Sequence, residues 1–593
     1  MSDGSSRRPR PCPTQKGSKW VLWAGAVELS NYGPEAQFFD SGFPHAIYTA
    51  PFHRNRNCPA HKAMQHTSGD SSQASPLLAP KEMQGRLWRW LVVAVWLVCA
   101  STYITMPGQS DQYQHSYMGW RLLQGAVPYH DFIDPGWPGI MWTHAVSTGL
   151  FGNHLWSWHI LDFAFLALSA AFLQSLLARA AGGTAARISL ILYPIYYAGL
   201  PYIFSGQHDM TAGHFLVMAL WFHVRGYETL NWRWQLGTGA FIGLAMLNKP
   251  TVGIVGIIFV IHAMLFRLSR PYLVRHTLVA GGASVAILLA AVLVLLAQGS
   301  KLHEIADVAL RYNLSAQGYD PPPAWILPFH LFELHVKWLL ILTLGGGISS
   351  WWIFRSASRS IRTTALPALW ASGVCSYFLQ GKGYYYHLGP CFPSLIGLTA
   401  CALSHLGTMQ PKRIGPAGWR RLSLFFLLLV TAMGVKKMYR NYSALPGAVL
   451  SGNFEGYLSR FDGGDGLNVA ETLALVRRIE LQVPAHESVL VFGDTSAINF
   501  LARRPQPTHF PWPPLLLKVR PHLPQADRWN TLWEDDLRSS NVRLCLVSRI
   551  SFYADWLQGE SRTARSLMLF LKDRYKRTDT FGSPDGFDIY ERR

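Results

Sequence analysis

The stretch LWRWLVVAVWLVCASTYITM, residues 87–106, decides the architecture. Its 20 residues are long enough to cross the roughly 30 Å hydrocarbon core of a bilayer as a helix, and Arg89 is its one charge. Similar runs recur downstream. About eleven spans are read, near 87–106, 155–178, 187–204, 209–225, 235–248, 251–268, 276–298, 335–354, 363–380, 384–406 and 420–437. The turns between them supply an orientation. Arg179–Arg187, Arg225–Arg233, Arg267–His276, Arg355–Arg362 and Lys412–Arg421 are basic, and each falls at an even-numbered turn of the path. The positive-inside rule places these turns and the amino terminus in the cytoplasm. The loops 107–139, 205–208, 248–251, 299–335 and 381–387 then face outward, as does everything after about Tyr439.

Composition agrees. Hydrophobic residues make up 49% of the 593 and charged residues 15%, against about 25% charged in soluble domains. The 23 Trp, 24 Tyr and 31 Phe suit membrane interfaces. A net charge of +19 raises the question of nucleic acid, but the Lys and Arg cluster between apolar runs, so orientation in a membrane explains them and nucleic-acid binding is not expected. The seven cysteines are scattered without a C-x-x-C, so neither a disulfide framework nor a zinc site is expected.

The fold expected is therefore an α-helical polytopic membrane protein, amino terminus in and carboxy terminus out, with a small extracytoplasmic α/β domain. Residues 1–82 are polar and basic, either a disordered cytoplasmic tail or the product of a start assigned upstream of Met83. Residues 83–440 hold the spans, and 441–593 form the outer domain. Within that domain Ala470–Leu481, Thr495–Ala502 and Ala564–Tyr575 read as helices, and Ser488–Phe492, Val542–Val547 and Phe587–Tyr590 as strands.

The first outer loop reads PGQSDQYQHSYMGWRLLQGAVPYHDFIDPGWPG, residues 107–139, too long and too rich in Asp, Tyr, Trp, Gly and Pro for a plain connector. Its Asp111, Tyr129, Asp131 and Asp134 are candidates for chemistry or acceptor contact. Further along stand Gly206-Gln207-His208-Asp209, Lys249-Pro250 and Gly381-Lys382-Gly383-Tyr384-Tyr385-Tyr386-His387, all on outer loops. These four motifs in this order resemble the GT-C glycosyltransferases, and most of all the bacterial group related to protein O-mannosyltransferases and the lipid A aminoarabinose transferase. The resemblance covers about 90–400 and, loosely, the rest. Two departures stand out. Relatives often carry Asp-Glu where this chain has Asp111-Gln112, and Pro-Pro where it has Pro138-Gly139.

The resemblance implies transfer of a sugar from a polyprenyl-phosphate donor to a cell-envelope glycan, lipid or protein, at the outer face of a bacterial inner membrane. An attacking hydroxyl must lose its proton, which calls for a carboxylate base, and Asp111 is the candidate. The lipid phosphate leaves as a stable anion, so fixed cations are needed instead of an acid: Lys249, Lys382 and Arg311, with His387 as a hydrogen-bond donor. One displacement with one base inverts the anomeric centre. Other readings stand beside these. Asp111 suits a helix N-cap, Asp131 and Asp134 suit Asx-turns, and Asp209, the second catalytic candidate, suits a role at the acceptor, support of Asp111 or structural pairing with a neighbouring His. Lys249 and Lys382 also suit interface anchors. The pairs Asp131/Asp134 and Asp462/Asp465 lack the ligand count of a hard cation, so neither metal nor cofactor is expected. A transporter or flippase of lipid-linked sugars, with Asp162 as its mid-span charge, and a non-catalytic prenyl-phosphate-binding scaffold signalled by Gln112 are the alternatives.

Overall fold

A computed structural model describes residues 80–593 apart from 202–203, 205, 267–268, 316–324, 334, 336–338, 356–359, 408–414, 519–523, 551–560 and 583. The expectation for residues 1–82 lies outside this range except at 80–82, where the first helix begins. The chain is mostly helical. In order run α1 (Pro80–Ile104), α2 (Ser110–Leu123), α3 (Pro138–Phe151), α4 (Ser157–Ala180), α5 (Gly182–Ala198), α6 (His208–Thr229), α7 (Trp234–Asn248), α8 (Ile254–Met264) and α9 (Arg270–Ala297). After a short π-helical turn at Ala306–Tyr312 come α10 (Leu340–Arg355), α11 (Ile361–Gln380), α12 (Phe392–Leu406) and α13 (Pro416–Tyr442).

Among the described residues, five stretches are long and apolar enough to cross a membrane: Gly85–Ile104, Ser157–Ala180, Arg270–Ala297, Tyr385–Leu406 and Ala417–Tyr442. Among the other expected spans, α7 has 15 residues, α5 carries Pro194 within its 17, and α6 contains Asp209, His214, His223 and Arg225. Each of these helices hides polar groups inside the bundle, and some of them bond across to neighbouring helices, as Tyr193 does with Ser169 and Gln235 with the His223 carbonyl. α3 is an additional apolar helix of 14 residues that the spacing of hydrophobic runs did not single out.

The basic turns meet at one end of the bundle. Arg179 lies over the Trp221 ring at 5.1 Å, Arg225 over Trp234 at 6.0 Å and Arg275 over Trp232 at 4.8 Å, while Arg362 pairs with Glu228. Small residues set the closest helix contact. α7 packs between α6 and α9, and Gly239 and Gly243, one turn apart, let the α7 backbone press on α9. Ser284 Oγ donates to the Gly239 carbonyl at 2.8 Å.

Beyond α13, the chain forms a four-stranded sheet in the order β3-β4-β6-β5. A small hairpin, β1 (Asp462–Gly464) and β2 (Leu467–Asn468), precedes it. α14 (Val469–Gln482) leads to β3 (Leu490–Phe492), α15 (Ala497–Ala502) and α16 (Pro524–Ser539) lead to β4 (Leu544–Ser548), and α17 (Arg562–Arg574) precedes β5 (Tyr575–Phe581) and β6 (Phe587–Arg592). β3 and β4 are parallel, and the pairs β4–β6 and β5–β6 are antiparallel. Asp494 does not cap the helix after β3: the cap position is Ser496, and Asp494 Oδ1 accepts from Trp512 Nε1 at 2.8 Å. The chain near residue 440 is packed, with Tyr442, Leu445, Ala448, Tyr457 and Phe461 in the same apolar cluster as the bundle interior.

A Cβ on Gly239 would lie 2.0 Å from the Ala280 carbonyl oxygen, whereas one on Gly282 meets nothing within 4 Å. Gly239→Val should force α7 off α9 at a cost of about 2 kcal/mol or more, lowering the melting temperature in detergent by about 5 °C. Gly282→Val should leave it unchanged. Equal melting temperatures for both variants would refute the close contact.

Candidate active site

The end of the bundle opposite the basic turns gathers four segments. α2 has two faces. Tyr113, Tyr117 and Trp120 pack with Leu475, Val489 and Phe500 of the carboxy-terminal part. Asp111 and His115, one turn apart, share another side of the same helix. The cap of α2 is Gln109, whose backbone N–H donates to Gln112 Oε1 at 2.6 Å. Asp111 is thus not the N-cap; it sits in the first turn, where the helix dipole favours a carboxylate. It is half-buried, and Gln207 Nε2 donates to its Oδ2 at 3.2 Å and to Gln109 Oε1 at 3.0 Å.

Gln207 is aimed by the glycine before it. Gly206 has φ +68°, a Cβ there would lie 2.0 Å from Trp158 Nε1, and that indole donates to the Gly206 carbonyl at 2.9 Å. α6 starts immediately after, with Asp209 fully buried in its first turn. α7 ends at Asn248 because Pro250 follows, leaving Lys249 in extended backbone with its ammonium at the mouth of the bundle. Lys249 Nζ donates to Asp209 Oδ2 at 3.2 Å and to His208 Nε2 at 2.9 Å. Gln380 Nε2 lies 3.4 Å from Asp209 Oδ1, which adds the end of α11.

The fourth segment follows. Gly381 and Gly383 have φ +64° and +72°, so the backbone reverses on either side of Lys382. The rings of Tyr384 and Tyr386 stack at 5.5 Å, and His387 lies 4.7 Å from Tyr386. His387 is buried, and its Nδ1 has no hydrogen-bond partner among the described residues. The Lys382 charge acts on His208, Asp209 and His387, and those of Asp111 and Lys249 act on each other. Burial, then Lys249, pushes His115 down to about 3 and His208 well below the usual histidine range. Burial and these cations thus favour the uncharged form of both rings; His115 faces Lys249, and His208 faces both Lys249 and Lys382.

Asp111, Asp209, Lys249, Lys382 and His387 thus come together. The other candidates lie apart in role. Tyr129 is buried at φ +62° and its hydroxyl donates to the Gly136 carbonyl at 2.9 Å. Asp131 accepts from the Val127 N–H at 2.7 Å, closing a turn. Asp134 accepts from the Gly136 N–H at 2.7 Å and from the Gln114 amide. Arg311 pairs with Asp307 at 2.6 Å, and Asp307 also takes Arg528 of the carboxy-terminal part at 2.7 Å; that ion pair does not join Arg311 to the Asp209–Lys249 cluster. Asp162 accepts from Tyr103 at 2.5 Å and Tyr197 at 2.7 Å inside the bundle, an arrangement that braces α1, α4 and α5. Gln109, His115 and Gln380 were not singled out by sequence; the placing of His115 one turn after Asp111 was the available signal.

Comparison with known proteins bears on the fold. The family model described as dolichyl-phosphate-mannose-protein mannosyltransferase matches residues 134–296. Two solved structures of ArnT from Cupriavidus metallidurans, one bound to undecaprenyl phosphate and one in the apo state, superpose with TM-scores of 0.55 and 0.54. Each is 14% identical and covers 86% of this chain and 98% of its own. The archaeal oligosaccharyltransferase AglB from Archaeoglobus fulgidus gives a TM-score of 0.47 at 13% identity, covering 85% of this chain and 74% of its own. No curated protein matches by sequence.

Asp134 offers a test of the loop. Burial, aided by the charge of Asp111 and opposed by the Gly136 and Gln114 hydrogen bonds, pushes its carboxyl up to about 6. An unfolded Asp ionises near 4, so the folded chain holds the proton more tightly. The cost of ionising Asp134 in place therefore grows as pH rises from about 4 to about 6 and persists above. Asp134→Asn keeps the shape and removes the charge. Between pH 4.5 and 7.5 wild type should lose about 2 kcal/mol relative to this variant, read as diverging melting temperatures; parallel curves would contradict it.

Proposed function

Taking the chain as a membrane protein of the GT-C glycosyltransferase fold, related to the protein O-mannosyltransferases and ArnT, we propose that it transfers a sugar from a polyprenyl-phosphate donor to a cell-envelope acceptor on the outer face of the bacterial inner membrane. The observation that carries this reading is the half-exposed Asp111 carboxylate, held by Gln207, next to the His208–Asp209–Lys249 cluster. The undecaprenyl phosphate bound to ArnT supports the class of donor.

In this reading the acceptor oxygen attacks the anomeric carbon while the bond from that carbon to the phosphate oxygen breaks. The bonding electrons leave with the phosphate, the hydroxyl proton goes to Asp111, and the anomeric centre inverts. Lys249 and Lys382 stabilise the charge that grows on the phosphate, and His387 is the neutral hydrogen-bond partner available beside them. Asp209 acts through Lys249, as a positioning residue, because its carboxylate is already shared by Lys249 and Gln380. Tyr129, Asp131 and Asp134 shape the loop that meets the acceptor. Arg311, paired with Asp307, is kept as a further candidate for the donor phosphate, and the carboxy-terminal part covers the site on the outer side. No metal takes part in the proposed step.

With a polyprenyl-phosphate sugar and purified protein, Asp111→Asn should fold normally and lose about 10²–10⁴ in kcat, the range for a positioned base. Transfer by that variant at near wild-type rate would remove Asp111 from the mechanism. Activity should survive excess chelator, and loss that Mg²⁺ or Mn²⁺ restores would overturn the metal-free step.

A further inference from the structure

A cavity lies between α6, α7, α8 and α9, its polar end towards the basic turns and its other end at Met246 and Gly253, close to the turn that carries Lys249. Its volume is about 350 Å³, within the range of small-molecule sites. Its walls are largely apolar along most of their length, with Ile242, Ile257, Val260, Val285 and Leu288 among them. Polar groups gather at one end, where His223, Tyr227, Gln235 and His276 line it. Along α9 the lining runs from His276 to Leu288, about 18 Å at 1.5 Å per residue. That is a little more than one leaflet of a core roughly 30 Å thick. The shape is therefore that of a chain entering from the basic face and running along α7, α8 and α9 towards the outer turn.

Two further observations identify what would enter. His276 is 1% exposed and lines the cavity, yet neither ring nitrogen has a hydrogen-bond partner among the described residues. A buried polar group left so is costly unless something else satisfies it. Cations stand next to the lining residues at this end: Arg275, adjoining His276 and acting on it, lies over Trp232 at 4.8 Å, and Arg233, two residues before Gln235, over the same ring at 6.0 Å. The acid of the neighbouring turn, Glu228, is already taken by Arg225 and Arg362. Positive charge over an apolar slot, with a hydrogen-bonding group between them, complements an anionic amphiphile.

We propose that this cavity is a binding site for one anionic phospholipid of the leaflet opposite the active site, with its phosphate at Arg275 and Arg233, its ester region at His276 and one acyl chain along α9. The assignment rests on the orientation in which the basic turns mark the cytoplasmic face, but not on the transferase reading. Gly281 and Gly256 line the slot, and a Cβ on either meets nothing within 4 Å. Larger side chains there would enter the space the acyl chain needs without displacing protein.

The test is native mass spectrometry of the full chain in detergent, titrated with phosphatidylglycerol or phosphatidylcholine of identical acyl chains. Wild type should retain one phosphatidylglycerol at least tenfold better than phosphatidylcholine. Gly281→Leu and Gly256→Leu should each lose that retention tenfold or more, and Arg275→Gln should bring phosphatidylglycerol to the level of phosphatidylcholine. Asp111→Asn should bind lipid like wild type, so a failure of the transferase reading would show in the sugar assay and not here. Equal retention of the two lipids by wild type, or undiminished retention by both leucine variants, would overturn the site. Displacement of the bound phosphatidylglycerol by added polyprenyl phosphate would also overturn it, assigning the slot to a donor tail.

Discussion

The contact on which the site depends is the ion pair between Lys249 and Asp209. The Asp209 side chain is fully buried and that of Lys249 is 13% exposed, at the point where two apolar helices meet the membrane surface. An unpaired Lys costs about 2.5–3.5 kcal/mol at the centre of a span on insertion scales and less towards the surface, and a fully buried carboxylate left unpaired is costly as well. Each charge is tolerable because the other is present. The pair therefore fixes the start of α6 against the end of α7, and Gln380 brings the end of α11 to the same carboxylate. Three helix ends are tied at one point, and the two flanking segments, Gly206–Gln207 and Gly381–Gly383, inherit their positions from it.

The first outer loop reaches this point because α2 is held from both sides. Its aromatic face is buried by the carboxy-terminal part, where the Gln506 N–H donates to Tyr117 Oη at 2.8 Å. A few residues on, the Ile133 N–H donates to the His509 carbonyl at 2.6 Å. On the bundle side, Gln207 bonds both Gln109 and Asp111. The carboxy-terminal sheet thus acts on the candidate site through the placement of α2, without supplying a charged group to the Asp209–Lys249 cluster through any described ion pair.

What could be read from sequence, and what could not, divides along physical lines. The long apolar runs were legible because lipid-facing helices must be apolar on their outer side, and α1, α4, α9 and α13 follow the expected spans closely. The gathering of Asp111, Asp209, Lys249, Lys382 and His387 was legible because alternating spans return every second loop to one face. Helix starts were less so: α5 begins at Gly182, within the basic turn that was read as connector up to Arg187. Strand β5 escaped because Tyr575 is its one buried residue, so there is no apolar alternation to see. α16 escaped although Trp529, Trp533 and Leu537 repeat at helical spacing, since its remaining surface is charged and polar. Gln207 stands in the Gly206–Asp209 motif, but its bond to Asp111, like that of Gln380 to Asp209, is a tertiary contact; an isolated Gln such as Gln380 carries no periodic signal.

The same contacts explain the two departures from the glycosyltransferase pattern. Gln112, where relatives often carry Glu, holds the α2 cap through its Oε1. A Glu could accept that hydrogen bond too, but would set a second negative charge beside Asp111, where Lys249 is the buried cation they would share. The amide keeps the cap and omits the charge, so Gln112 is accounted for by α2 without reading it as a sign of lost chemistry. Gly139, where relatives carry a second Pro, lies against α7: a Cβ there would come within 2.6 Å of the Leu247 carbonyl oxygen. Leu247 is two residues before Lys249. A bulkier residue at 139 would push the end of α7, and with it the ammonium, away from Asp209. Both departures therefore act on the placing of the Asp111 carboxylate and the Lys249 ammonium, and both keep that placing intact.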